Sequence, residues 1–162
     1  GKSFVAPWQG GFGTTLTWKG ISLAAQFSWV ADRWVFNNDR YLDEGNGLFE
    51  TYNQSRRLLY DRWKKPGDVT DIPRYGVTPQ MDSRFLEDAS FLRLKNLMLS
   101  YNFPQALLKK TNFLTHLRVF VQGQNLLTFT KFSGLDPEGV SNMYQAQYPS
   151  TRQFTFGLEV SF

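Results

Sequence analysis

Cysteine is missing from all 162 residues, which removes disulfides, thiolate metal sites and thiol nucleophiles together. The absence suits a chain that crosses an oxidising compartment, where a stray thiol is a hazard. Histidine occurs once, as His116. A histidine-based metal site or triad would therefore need every other group from carboxylates and hydroxyls, and His116 reads as a solvated side chain at the start of a strand. No run of 18 or more apolar residues occurs, which excludes a transmembrane helix. A chain without one crosses a bilayer only as part of a closed β-barrel, because every backbone polar group in hydrocarbon must be paired. The opening GKSFVAPWQGGFG has no charged stretch followed by an apolar one, so no signal peptide is expected there.

Other familiar chemistry is missing too. Gly10, Gly11 and Gly13 precede a strand pattern rather than a helix and lack the geometry of a phosphate-binding loop. Asp68, Asp71 and Asp136 do not follow the Asp-x-Asp-x-Asp-Gly spacing of a calcium loop, and Asp68 and Asp136-Pro137 read as turn residues. Glu87 and Asp88 are adjacent, so in extended chain they point apart and form no acid/base pair. The net charge of +4 comes without a Lys/Arg stripe to track phosphates, so no nucleic-acid partner is expected. The chain reads as having no enzymatic activity, no catalytic residue, no cofactor and no metal.

What the chain has in excess is rings. Aromatic residues make up 17% of it (15 Phe, 7 Tyr, 5 Trp), yet the mean hydropathy of -0.39 is polar. That combination fits a structure wetted on one face and apolar on the other. The dominant period is two. Phe154, Phe156, Leu158, Val160 and Phe162 alternate with Gln153, Thr155, Gly157, Glu159 and Ser161, which puts them on opposite faces of a strand. Phe12, Thr14, Leu16 and Trp18 oppose Gly13, Thr15, Thr17 and Lys19. After Lys19-Gly20, Ile21, Leu23, Ala25, Phe27 and Trp29 oppose Ser22, Ala24, Gln26 and Ser28, so the two runs form a tight hairpin. In residues 116–125 Leu117, Val119 and Val121 share a face, with Phe120 an exception on the polar one. Residues 90–103 mix charge and hydrocarbon on one parity, and a β-bulge near Asn96 would separate them. Runs of about ten residues are what a tilted transmembrane strand requires.

The links between these runs alternate short and long: Lys19-Gly20 and 104–115 are short, 32–89 and 128–151 are long. Short periplasmic turns and long extracellular loops give that alternation in a membrane barrel, and place the last residue in the periplasm. Trp8, Trp18 and Trp29 near strand ends suit interfacial aromatic girdles, and Glu159 suits a solvated lumen. A short helix is expected from about Leu48 to Arg62, started at Gly45-Asn46-Gly47, followed by a turn-rich loop over 63–79. Trp63, Tyr75, Phe132 and Tyr144 are the loop rings that could stack on a ligand or a partner.

Several stretches together resemble a known family. Leu86-Glu87-Asp88-Ala89-Ser90-Phe91-Leu92-Arg93-Leu94-Lys95-Asn96 with Leu99-Ser100-Tyr101 is similar to the late-barrel signature of SusC/RagA-type TonB-dependent transporters. So are residues 118–126 (RVFVQGQNL), Gly134-Leu135-Asp136-Pro137-Glu138, the end from Tyr148-Pro149 to Phe162, and Asp61-Arg62-Trp63 with Pro66-Gly67-Asp68 and Ile72-Pro73-Arg74. The resemblance covers nearly the whole chain in order. It implies an all-β fold in which residues 1–162 are the C-terminal portion of a TonB-dependent receptor β-barrel. That portion is an antiparallel transmembrane part of about five strands, over 8–18, 20–31, 90–103, 116–127 and 152–162, with long extracellular loops and one short loop helix. It further implies a bacterial outer-membrane importer of oligosaccharides or peptides. The expected partners are a SusD-like surface lipoprotein, TonB (through a part of the receptor not present here), the barrel-assembly machinery and outer-membrane lipid. Phe162 resembles the aromatic recognised in barrel assembly. The rival from the residues alone is a soluble or surface-anchored β-sandwich ligand-binding module, which would bury one face of each strand against a second sheet.

Overall fold

A computed structural model describes residues 1–49, 51–139 and 141–162. In chain order the elements are β1 (Trp8–Trp18), β2 (Ile21–Ala31), β3 (Trp34–Asn37), α1 (Asn38–Asp43), α2 (Arg57–Tyr60), β4 (Leu86–Asp88), β5 (Phe91–Asn102), α3 (Gln105–Leu108), β6 (His116–Thr130), β7 (Met143–Tyr144) and β8 (Gln153–Ser161). Single 3-10 turns lie at Ser83–Phe85 and Lys109–Thr111. Among the described residues no helix is long and apolar enough to cross a membrane, which says nothing of crossing by strands. The chain divides into two compact units. One comprises Gly1–Ala6, Asp32–Ala89 and Lys131–Tyr148, the other Pro7–Ala31, Ser90–Thr130 and Pro149–Phe162.

The second unit is a five-stranded antiparallel sheet in the order β1-β2-β5-β6-β8, an open sheet rather than a closed one. Its first hairpin turns through Lys19 and Gly20, both at positive φ (47° and 89°). That pair of left-handed residues matches the twist of the flanking strands. Registration carries the sequence alternation across the whole sheet. Leu16, Leu23, Leu99, Val121 and Phe156 form one row, and Trp18, Ile21, Tyr101, Val119 and Leu158 the next. The opposite face carries Thr15, Ala24, Met98, Gln122 and Thr155, and beside them Gln26, Asn96, Gln124 and Gln153.

The mixed parity of β5 is resolved at Lys95: against β2 it is the extra residue of a bulge, and against β6 the extra residue is on β6, where Asn125 and Leu126 stand opposite Lys95 alone. The slip places Leu92 and Leu94 in register with Trp29 and Phe27 on the apolar face. It also sends Arg93 to the polar face, in register with Ser28. Phe120, the one ring on the polar face of β6, lies over Gly157 of β8, its register partner. A Cβ at 157 would overlap that ring. Gly157→Ala should therefore cost about 1–3 kcal/mol by overpacking. Denaturant titration of the receptor in detergent should show the loss, and Phe120→Leu in the same chain should recover most of it.

The first unit has a small mixed sheet, β4-β3-β7, with β3 antiparallel to β4 and parallel to β7. Its core is Val35, Ala89, Phe132 and Tyr144, with Phe4 packed against it. Rings of Phe36, Tyr41, Phe49 and Phe85 form a second apolar cluster, with centroids 5.3–6.0 Å apart. The helix expected over 48–62 is a correction, apart from Glu50, which lies outside the described residues. Only Arg57–Tyr60 is helical there, and the longer helix is α1, upstream. Gly45-Asn46-Gly47 starts no helix: after α1 has ended at its cap Glu44, Asn46 and Gly47 at positive φ (50° and 98°) form a tight turn closed by the Leu48 N–H on the Gly45 carbonyl at 2.8 Å. Asn37 supplies the start by accepting a hydrogen bond from the Arg40 N–H at 3.0 Å. The short strands β3, β4 and β7 carry no alternation long enough to be read, and they fall where the sequence suggested only loop.

Candidate functional site

The first unit contains an open cleft of about 580 Å³. Four segments far apart in sequence build its wall, the last being Ser133-Gly134-Leu135 with Tyr144. β3 and its capping Asn37 lead into α1, which presents Asp39, Arg40, Asp43 and Glu44; α2 brings Arg57; and the β3–β4 pairing of Val35 with Glu87 brings the last carboxylate.

Arg40 is the hub. Its Nε donates to Glu44 Oε1 at 3.0 Å, its Nη2 to Asp71 Oδ2 at 2.7 Å, and its Nη1 to Glu87 Oε1 at 3.3 Å and the Arg84 carbonyl at 3.2 Å. Arg57 closes the ring, donating to Glu44 Oε1 at 2.6 Å and Asp71 Oδ1 at 2.7 Å. Glu87 also accepts from Asn37 Nδ2 (3.3 Å) and from the Ser133 N–H (3.0 Å) and hydroxyl (2.7 Å). Burial opposes the charge on Arg40, but the Glu44 hydrogen bond and the Glu44, Glu87 and Asp71 charges more than offset it, and its pKa rises. Burial likewise opposes ionised Asp71, and Arg57 and Arg40 overcome it, holding that carboxyl below the ordinary aspartate value. Asp43 goes the other way: burial and then the neighbouring Asp39 and Glu44 charges push it up.

A separate cation, Arg33, is buried with its guanidinium over the Phe4 ring at 4.8 Å. It donates to the carbonyls of Pro137 (3.2 Å) and Gly139. Burial lowers its pKa, with Glu138 acting in the opposite sense. Asp68 accepts from the Lys64 and Lys65 N–H groups at 2.9 and 3.0 Å, and Asp136 from the Glu138 N–H at 2.9 Å, both as turn residues.

The four candidate loop rings do not converge. Phe132 and Tyr144 stack edge-to-face at 5.0 Å inside the core, and the Tyr144 hydroxyl accepts from the Leu135 N–H at 2.9 Å. Trp63 is half-buried, its backbone N–H donating to the Ile72 carbonyl at 3.0 Å. Tyr75 is exposed, with the Arg62 guanidinium 5.0 Å over its ring. Phe162 is exposed and stacks on Phe113 at 6.0 Å. Trp8 and Trp18 are exposed at the two ends of β1, and Trp29 lies against Gly10. Glu159 sits on the polar face and pairs with Arg118 at 3.2 Å. The charged hub escaped sequence reading because only Arg40–Glu44 has a local spacing, one helical turn. Among the described residues no group of three or more His, Cys, Asp or Glu is placed to hold a metal.

An antiparallel sheet with one apolar and one polar face, carrying long structured connections, defines a mostly-β segment of a larger assembly. Comparison with known proteins names which kind. The chain is 39% identical over 117 residues to TonB-dependent receptor P3 of Formosa agariphila, covering 64% of this chain and 12% of that receptor. It is 35% identical over 87 residues to TonB-dependent receptor SusC of Bacteroides thetaiotaomicron, covering 54% of this chain and 9% of SusC. The structure of the RagAB peptide importer in its open-open state superposes with a TM-score of 0.91 at 42% identity, over 99% of this chain and 18% of that one. No family model matches. The chain belongs to the SusC/RagA-type TonB-dependent receptors, and spans less than a fifth of the length of each of these relatives.

Proposed function

We propose that residues 1–162 supply five neighbouring strands and two extracellular loops to the β-barrel of an outer-membrane importer. The importer takes up oligosaccharides or peptides with TonB-delivered energy and works with a SusD-like lipoprotein, without enzymatic chemistry. The observation that carries this is the five-stranded sheet, whose apolar face exposes a large side chain on every strand (Leu16, Leu23, Leu99, Leu127 and Phe156), with Leu94 buried among them, while its polar face holds amides, hydroxyls and the Arg118–Glu159 pair. A sandwich would bury the apolar face against a second sheet; exposed Leu16, Leu99 and Phe156 suit lipid instead. The 11 residues of β1 span about 33 Å. Tilted by ~40°, that length covers an apolar band of about 25 Å with Trp8 and Trp18 at its two rims. In the same reading Trp63 and Tyr75 face ligand or lipoprotein, Phe132 and Tyr144 serve by packing, and Phe162 is the aromatic the assembly machinery engages.

The absence of cysteine from this chain makes a direct test simple. Single cysteines at Leu99, Phe156, Gln122 and Thr155 of an otherwise cysteine-free receptor are labelled with bimane and reconstituted with brominated lipid. Quenching is expected at 99 and 156 and not at 122 and 155. Equal quenching at all four, or a receptor monodisperse in plain buffer, overturns the proposal.

A further inference from the structure

The cleft around α1 holds more negative than positive charge. Asp39, Asp43, Glu44 and Glu87 line it against Arg40 and Arg57. Two of these carboxylates are occupied: Glu87 by Asn37, Arg40 and Ser133, and Asp39 by the Ala146 N–H at 3.0 Å. Two acceptors are left over. Asp43, exposed at the end of α1, makes no side-chain hydrogen bond or ion pair among the described residues. Glu44 is 1% exposed, and its Oε2 accepts no hydrogen bond, the Arg84 Nη1 standing 4.0 Å away. A buried carboxylate oxygen without a donor is costly. Burial of part of Asp43 raises its pKa most, and the neighbouring Asp39 and Glu44 charges add to that push in the direction expected of a negative wall.

We propose that this cleft binds the cationic side chain of a peptide ligand, a lysine or arginine that enters beside Asp43 and completes the acceptors of the Asp43–Glu44 wall. The inference rests on the reading of the chain as part of an importer, and narrows its cargo to peptides carrying a basic residue. The size suits such a guest: about 580 Å³ lies in the range of small-ligand sites, roughly 300–1,000 Å³. An ammonium or guanidinium brings only donors, matching a wall left with only acceptors. Tyr144 and Leu135 give the aliphatic stem an apolar side to lie against.

The test uses the full-length receptor with its lipoprotein partner in detergent. Its probes are a Gly/Ser nonapeptide with one central lysine and the same peptide with that lysine acetylated. The wild type should bind the lysine peptide about tenfold more tightly than the acetylated one, with the preference weakening as salt rises. Asp43→Asn should remove the preference, and Asp43→Lys should invert it. Asp43 carries no structural side-chain bond, so both variants should keep the heat-modifiable gel migration of the wild type. Equal binding of both peptides by the wild type, or an undiminished preference in Asp43→Asn, overturns the inference and leaves the importer reading standing. If neither peptide binds or is imported, a peptide-importer reading itself fails. If Asp43→Asn weakens capture of the lipoprotein while both peptides bind alike, the cleft serves the partner and the proposal is wrong.

Discussion

Arg40→Ala should loosen the first unit by about 3 kcal/mol, the lower end of what removing one partner of a buried ion pair costs. The lower end applies because Arg40's side chain is 20% exposed and Asp71's 44%. The cost comes from what is left behind. Glu44, with 2% of its side chain exposed, and Glu87, with 12%, would each lose a donor they cannot recover from water. Hydrogen exchange on the full-length receptor is the measurement. Amides of residues 38–45 and 83–88 should exchange about a hundredfold faster, while those of β5 and β6 stay unchanged. Arg40→Lys should fall between, since one ammonium cannot serve three carboxylates and a carbonyl along separate directions. Unaltered exchange in Arg40→Ala would show that the network contributes nothing. Acid gives an independent check on sign. Asp71 is held below its ordinary pKa, so its contribution is present above the unfolded value near 3.9 and is lost as pH falls through the lower folded value. The loop should therefore keep its protection down to about pH 4 and lose it only below.

Val121→Arg should cost about 1–2 kcal/mol in a lipid-embedded receptor, the cost of a cation on the lipid face between the interface and the midplane. Val121 lies between Leu99 and Phe156, one apolar row in from the row that ends on Trp18. Gln122→Arg is the control, one residue along on the polar face between Met98 and Thr155, and should be tolerated. Urea unfolding in vesicles compares the two. Equal costs would mean that Val121 does not meet hydrocarbon, and the lipid-facing reading would fall with it.

The contrast between those two neighbours was legible before any coordinates, because alternation along a strand is a local consequence of backbone geometry. The same holds for the Lys19-Gly20 turn, where two residues between period-two runs leave little choice of conformation. Phe120 and Arg93 were legible as exceptions but not as solutions. Phe120 is accommodated only because registration sets Gly157 opposite it. Arg93 reaches the polar face only because Lys95 is bulged against β2 and a matching bulge at Asn125-Leu126 of β6 shifts that strand with it. Gly45-Asn46-Gly47 punctuates the chain without starting a helix, since glycine and asparagine serve free-standing turns as readily as helix ends. The helix lies upstream, where Asn37 caps α1 and the Tyr41 ring packs against Phe85.

By itself, then, the sequence determined that this protein is a set of two-faced strands joined by alternately short and long links. Period and loop length are written in neighbouring residues. Only the tertiary structure decided which of those links fold into a unit of their own. Asp71 and Glu87 lie 31 and 47 positions from Arg40, and no local pattern announces that they share one guanidinium. Such pairings depend on the whole path of the chain between them, and only the assembled fold brings their charges within reach.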